Sequence, residues 1–342
     1  MSLKSIQRKR EYTKYVVDKR LCYYEPPRDK LQKTFAQELS SSLDQKQKSI
    51  SPKFFYDKKG SQLFEEICKL PEYYLTKTEI SILTQLYDKL PSHLNGDFRL
   101  VELGSGSSKK TRILLSILER LHKHIEYFPI DISKILKESS TILLDDYENL
   151  HITGIIDNYE SGLEFIKNYD NKKNLIAFLG SSFGNFDYEH GLKFLQKINS
   201  SMKKNDLFLI GLDLVKDKTV LERAYNDSQG VTAKFNLNVL SRINSELDSN
   251  FNINKFAHHA FYNEYKNRVE IYLRSLENQT VKIHKAGMVL QIKQDELIHT
   301  ENSYKYTISK IKEIFSISSF RIKDIWFDEK QYFCLVLLSK ND

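Results

Sequence analysis

The chain has 342 residues, 40% of them hydrophobic and 28% charged, with only 12 glycines and 6 prolines. This is the composition of a soluble globular protein with one large or two ordinary domains, and no apolar run approaches the length of a membrane span. The net charge of +7 comes from 52 basic residues dispersed among 45 acidic ones, and without a zinc-finger or RNP-type motif it makes no case for a nucleic-acid partner.

Gln7-Arg8-Lys9-Arg10 is a notable basic cluster and reads as a solvated helix face. No apolar segment accompanies it, so no secretory signal is expected. Cys22, Cys68 and Cys334 are far apart and form no C-x-x-C, which suits reduced thiols in a cytoplasmic protein and offers no metal site. Residues 1–50 are polar with helical patches. Three aromatics, Phe54-Phe55-Tyr56, then precede an Asp57-to-Gly60 turn and a short helix that turns Leu63, Phe64, Ile67 and Leu70 inward. Leu70-Pro71-Glu72-Tyr73-Tyr74 breaks it. Thr76 with Glu79 has the form of a capping box opening a helix over 77–90.

Residues 100–111 read Leu-Val-Glu-Leu-Gly-Ser-Gly-Ser-Ser-Lys-Lys-Thr: a strand, a tight glycine turn and a helix start. Such a turn lets a ligand approach the backbone. Alone it is ambiguous, because it lacks the full G-x-G-x-x-G and the Gly-Lys-Ser/Thr of a phosphate loop. Strands are expected at 98–103, 125–130, 151–156, 174–179 and 207–214, with helices between them, including 133–144 and 192–200. That alternation predicts an α/β fold with a parallel sheet and ligands beyond the carboxyl ends of its strands.

The strand ends carry Glu102 with Gly104 and Gly106, then Asp131, then Asp157-Asn158-Tyr159, then Gly180-Ser181-Ser182-Phe183-Gly184-Asn185. Asp131 can accept both hydroxyls of a ribose. A carboxylate beside a ring at 157–159 suits an adenine. One acidic strand end is an ordinary helix cap; three in succession beside a glycine turn point to a nucleotide-type cofactor. From 214 to about 307 the alternation is interrupted by a helix over 232–247 and strands at 256–265, 268–276 and 279–283. These form an inserted α+β lobe, with a cleft for substrate. Strands 320–327 and 331–339 close the chain as a hairpin.

The run of strand ends resembles the class I S-adenosylmethionine-dependent methyltransferases, with their Rossmann-like sheet. More specifically, the chain resembles the histidine-specific Nα-methyltransferases of ergothioneine biosynthesis and their relatives that act on other aromatic amino acids. The matching stretches are Phe55-Tyr56-Asp57, 70–74 with Thr76 and Glu79, 101–112, Asp131-Ile132-Ser133, 179–186, 223–240, 268–275 and 300–306. The resemblance implies S-adenosylmethionine as cofactor, contacted by Glu102, Gly104, Gly106, Lys110, Asp131, Asp157, Asn158 and Tyr159. It implies that Asn185 and Tyr225 hold the amino and carboxylate groups of an amino acid, with Gly180 beside them. Tyr56 and Phe235 would lie near the methylated nitrogen, and Tyr73, Glu301 and Ser303 would read an imidazole. Ile271 stands where the family has methionine, which alters the pocket's shape beside the ring. Catalytic roles then fall to Tyr56, Asn185 and Tyr225.

The implied activity is stepwise methylation of the α-amino group of L-histidine to a trimethylated betaine. Alternatives are an enzyme of the same family acting on tryptophan or another amine, a nucleic-acid or protein methyltransferase, and a non-catalytic cofactor-binding module. The expected organisation is 1–78 as part of the substrate lobe, 79–215 as the first part of the methyltransferase domain, 216–305 as the inserted lobe and 306–342 as the domain's end. The partner expected is a small amino acid bound by a monomer, with neither nucleic acid nor membrane.

Overall fold

The computed structural model describes residues 11–27, 34–106, 108–133 and 135–341; the basic cluster at 7–10 lies outside them. A hairpin of β1 (Thr13–Val16) and β2 (Leu21–Glu25) is followed by α1 (Phe35–Leu43), α2 (Lys58–Ile67) and α3 (Tyr74–Lys89). The alternating region runs β3 (Phe98–Leu103), α4 (Lys109–Leu121), β4 (Ile125–Ile130), α5 (Ile135–Asp146), β5 (Leu150–Ile155), α6 (Tyr159–Lys167), β6 (Lys173–Phe178), α7 (Tyr188–Ser201) and β7 (Leu207–Asp213). Next come α8 (Lys218–Tyr225), α9 (Val231–Leu247), β8 (Phe256–Asn263), β9 (Arg268–Ser275), β10 (Gln279–Ile283), β11 (Met288–Ile292) and β12 (Leu297–Tyr304). The chain closes with α10 (Ile308–Ile317), β13 (Phe320–Phe327) and β14 (Phe333–Lys340).

Nine strands form one sheet in the order β1-β2-β5-β4-β3-β6-β7-β14-β13. From β2 to β7 all neighbours are parallel, and β14 is antiparallel to β7. The sheet is buried on both faces, so its central strands read as continuous apolar runs. The pleat still sorts them. Leu100 joins the cluster under α3, α4 and α5, while Val101 and Leu103 join the cluster under α6, α7 and α10.

The interrupted region folds into a three-stranded sheet β12-β9-β8 and the hairpin β10-β11. Its apolar faces share one cluster with the segment before the large sheet, including Leu39, Phe55, Leu63, Leu221, Phe235 and Leu273. Backbone bonds from Ile50 N–H to His299 O (2.8 Å) and from His299 N–H to Lys48 O (2.9 Å) join the two stretches.

Three expectations are corrected. Residues 13–25 are strands at the edge of the large sheet rather than helical patches of the lobe; at four and five residues they are too short for a clear alternation. The helix expected from 77 begins at Tyr74, and Tyr73 at its N-cap makes no side-chain capping bond. Glu79 is therefore a buried mid-helix residue and no part of a capping box. Strands β11 and β12 were not foreseen; a bulge between His299 and Glu301 interrupts the regular alternation of β12.

The hairpin docks through Gly154 of β5, opposite Tyr23 of β2. A Cβ there would lie 2.5 Å from the Tyr23 ring and 2.6 Å from a Leu136 methyl. Gly154→Ala is expected to cost about 1–3 kcal/mol of stability, read as a lower midpoint in urea unfolding, with earlier proteolysis of residues 11–27.

Candidate active site

The sheet reverses direction of growth at β3, which has β4 on one side and β6 on the other. The crevice at the carboxyl ends of β3 and β6 is where such sheets bind ligands. Gly104, Gly106 and Ser108 all have positive φ there (78°, 47° and 60°). A Cβ on Gly104 would lie 2.8 Å from the Tyr159 hydroxyl, whereas one on Gly106 would meet nothing within 4 Å. The turn is thus backed by Tyr159 and open on its other side. Ser108, 5% exposed, and Ser181, 3% exposed, carry side-chain hydroxyls with no hydrogen-bond partner among the described residues. Two orphaned buried hydroxyls at the ends of adjacent strands, beside an open glycine turn, fit a polar cofactor.

Glu79 braces this crevice from behind. Only 1% exposed, it accepts the Gly180 N–H at both oxygens (2.8 and 2.9 Å) and the Lys110 ammonium (2.8 Å). Gly180 has φ of +80°. A Cβ on Gly211 of β7 would lie 2.3 Å from Glu79 Oε1, so the carboxylate fits because residue 211 is glycine. The spacing of Thr76 and Glu79 fits a cap equally well, and no local pattern distinguishes the two roles.

The three strand-end carboxylates differ. Glu102 is buried and accepts from Thr111 (2.8 Å) and Tyr127 (2.6 Å). Burial pushes it up to about 7 despite those bonds. Asp131 accepts the Ser133 N–H (2.8 Å), and burial raises it too. Asp157 accepts from Asn158 N–H through Oδ1 (2.7 Å) and from the Tyr12 hydroxyl through Oδ2 (2.7 Å). Asn158 also caps α6, accepting the Ser161 N–H (2.9 Å). The Tyr159 ring packs edge-on against Phe178 and Phe194.

The residues expected around a substrate converge from α8, α9, β9 and β12 and from the segments that precede α2, α3 and α7. Tyr56, 42% exposed, sets its ring edge-on to Phe235 (centroids 5.7 Å apart), and Tyr73 does the same to Tyr225 (6.3 Å). Glu301 lies within electrostatic reach of Tyr56, Tyr73 and Lys305, with the Asn185 side chain beside it. Burial pushes Glu301 up to about 7. Ile271 is its register partner on β9 and is buried in the lobe core. Tyr225 and Ser303 share a hydrogen bond of 2.7 Å. Tyr56 is also within electrostatic reach of Tyr159, the ring whose hydroxyl backs Gly104.

Behind Tyr225 and Ser303 lies a cluster that sequence reading missed. Asp213, at the end of β7, accepts from Lys305 (2.8 Å), Lys216 (2.6 Å) and the Tyr74 hydroxyl (2.6 Å). Lys305 also donates to Tyr225 and Ser303. A lysine two residues beyond Ser303 was within a recognised stretch, but nothing local says it is buried. A separate cavity of about 430 Å³ between α7 and α10 contains none of Asn185, Tyr225 or Glu301.

A sheet ordered β5-β4-β3-β6-β7-β14-β13 with β14 alone reversed, and a glycine turn open at the β3–β6 crevice, defines a class I S-adenosylmethionine-dependent methyltransferase. Within that class, the chain belongs to the histidine-specific, S-adenosylmethionine-dependent methyltransferases, whose family pattern it matches over residues 35–340. It is 36% identical to a histidine N-alpha-methyltransferase of Mycobacterium tuberculosis over 302 residues, covering 88% of this chain and 93% of that one. It is 33% identical to a protein of the same name from Mycolicibacterium smegmatis, covering 90% and 96%. It is 30% identical to ergothioneine biosynthesis protein 1 of Neurospora crassa over 84% of this chain, though that stretch is 32% of the larger protein. Among the described residues no helix is long and apolar enough to cross a membrane.

Because folding raises Glu102 from 4.5 to about 7, its protonated form is favoured in the native state. Its contribution is fully present below pH 4.5 and is lost as pH rises through 7. Relative to Glu102→Gln, the cofactor-free protein is expected to lose on the order of 3 kcal/mol between pH 4.5 and 8, measured by urea unfolding at each pH.

Proposed function

We propose that the chain transfers methyl groups from S-adenosylmethionine to the α-amino nitrogen of L-histidine, up to three times, giving a trimethylated betaine. The observation that carries the substrate is Glu301, a partly buried carboxyl beside the Asn185 side chain at the polar end of an otherwise aromatic pocket. With its proton leaving near pH 7 it can give or take a hydrogen bond, which matches an imidazole with one N–H and one bare nitrogen. A purely apolar ring would leave it unpaired, at a cost. The names borne by the relatives support the same reading.

The cofactor, when bound, supplies an electrophilic methyl on a sulfonium. Gly104, Gly106, Ser108, Lys110 and Asp131 would hold it, with Asp157 at its base. The lobe built from 35–75 and 216–305 presents the amino acid, acting as a monomer on a free cytoplasmic substrate. The amine attacks only when neutral, and an enclosed pocket lowers an ammonium's pKa by desolvation. Asn185 and Tyr225 fix the amino-acid backbone so that the lone pair is aligned, and alignment supplies much of the rate in such transfers. Tyr56 and Phe235 present ring faces and edges to a nitrogen that becomes a fixed cation, and cation–π attraction accommodates it.

The test is incubation with S-adenosylmethionine and an equimolar mixture of the twenty amino acids, followed by mass spectrometry. Histidine alone should gain up to three methyl groups. Labelling of tryptophan or another amino acid instead sinks the ring assignment. Glu301→Ala should lower kcat/KM for histidine by about 10- to 100-fold, with cofactor affinity unchanged.

A further inference from the structure

Lys305 has no exposed side-chain surface, and its ammonium makes three bonds: to Asp213 Oδ2 (2.8 Å), the Tyr225 hydroxyl (3.0 Å) and the Ser303 hydroxyl (2.8 Å). An ammonium has three hydrogens, so none remains for a substrate. The consequence falls on the two hydroxyls. Each accepts from Lys305, and they share one hydrogen between them at 2.7 Å. Two hydroxyls own two hydrogens, so one is left over, and it cannot point at Lys305.

The surroundings say what that hydrogen suits. Among the described residues Asp213 is the one carboxylate bonded within the cluster, shared by Lys305 and Lys216, so the bonded group carries a net positive charge behind the pocket, felt through space by Glu301 and Asp328. Buried ion clusters of this kind add little stability compared with apolar replacements, so stability alone gives no reason for burying two lysines on one aspartate. A positive cluster behind a single outward hydroxyl hydrogen recognises an anion, and the anion of an amino acid is its α-carboxylate.

We propose that Lys305 is a positioning residue that turns the Tyr225–Ser303 pair into a donor for the substrate carboxylate without touching the substrate itself. This rests on the amino-acid reading above. The neighbouring carboxyl Glu301 lies within electrostatic reach of Lys305, whose charge opposes the upward push of burial on it.

The test compares binding of L-histidine with binding of histamine, which lacks the carboxylate, by calorimetry on protein saturated with S-adenosylhomocysteine. Wild type should favour histidine. Lys305→Met should weaken histidine at least 10-fold, leave histamine within about twofold, and leave S-adenosylhomocysteine affinity unchanged. Equal loss for both ligands, or no loss, overturns the inference. Should Lys305→Met fail to fold, Tyr225→Phe keeps both lysines on Asp213 and should weaken histidine about three- to tenfold with histamine unaffected; a ligand-independent effect again overturns it. If another amino acid proves to be the substrate, it and its decarboxylated amine replace the pair. Binding of no amino acid at all overturns both readings. Binding without discrimination against the amine overturns this one alone.

Discussion

The bond from Glu79 to the Gly180 backbone is the constraint on which the site depends. It takes a carboxylate from α3, buries it almost completely, and uses it to hold the carboxyl end of β6 in a left-handed turn. The same group anchors Lys110 at the start of α4. The turn that begins the Ser181–Asn185 segment and the helix that follows the glycine turn are thereby fixed to one point. A buried carboxylate is tolerable only when its oxygens are occupied. Here Gly180 and Lys110 occupy them, and glycine at 211 leaves the space.

Around that point, charge is arranged by depth. Glu102 and Glu301 are both pushed close to neutrality by burial, while Asp213 is held low because two lysines offset its burial. Lys216 bears part of the cost and is pushed down to about 8 by burial. The pocket between these groups is lined by tyrosine rings, whose hydroxyls burial keeps protonated. A site of this kind supplies hydrogen bonds of fixed direction and little free charge, as alignment of an amine with an electrophile requires.

Much of this was legible in the chain itself. The bounds of β3 and β4 followed from apolar runs ended by acidic residues, and the glycine turn marked the switch point of the sheet. The inserted lobe showed itself as a break in alternation. What stayed hidden has one physical character: it is long-range. Glu79 meets Gly180 across 101 positions, and Tyr225 meets Ser303 across 78. No periodicity records such pairings, and a mid-helix glutamate looks the same whether it faces water or a backbone amide. The hairpin at 13–25 was missed for another reason: four exposed residues beside five mixed ones carry no pattern of their own and become strands because β5 offers them a partner.

That hairpin has a bearing on how the molecule tolerates shortening. The family match starts at residue 35, after both of its strands. A chain trimmed to the shared region would leave the outer backbone groups of β5 unpaired, and with them a bare flank on a large apolar sheet. Such a flank is a template for sticking to its own kind. The few residues that make the hairpin thus act as a selvedge, keeping the weave of the sheet from joining to its neighbour.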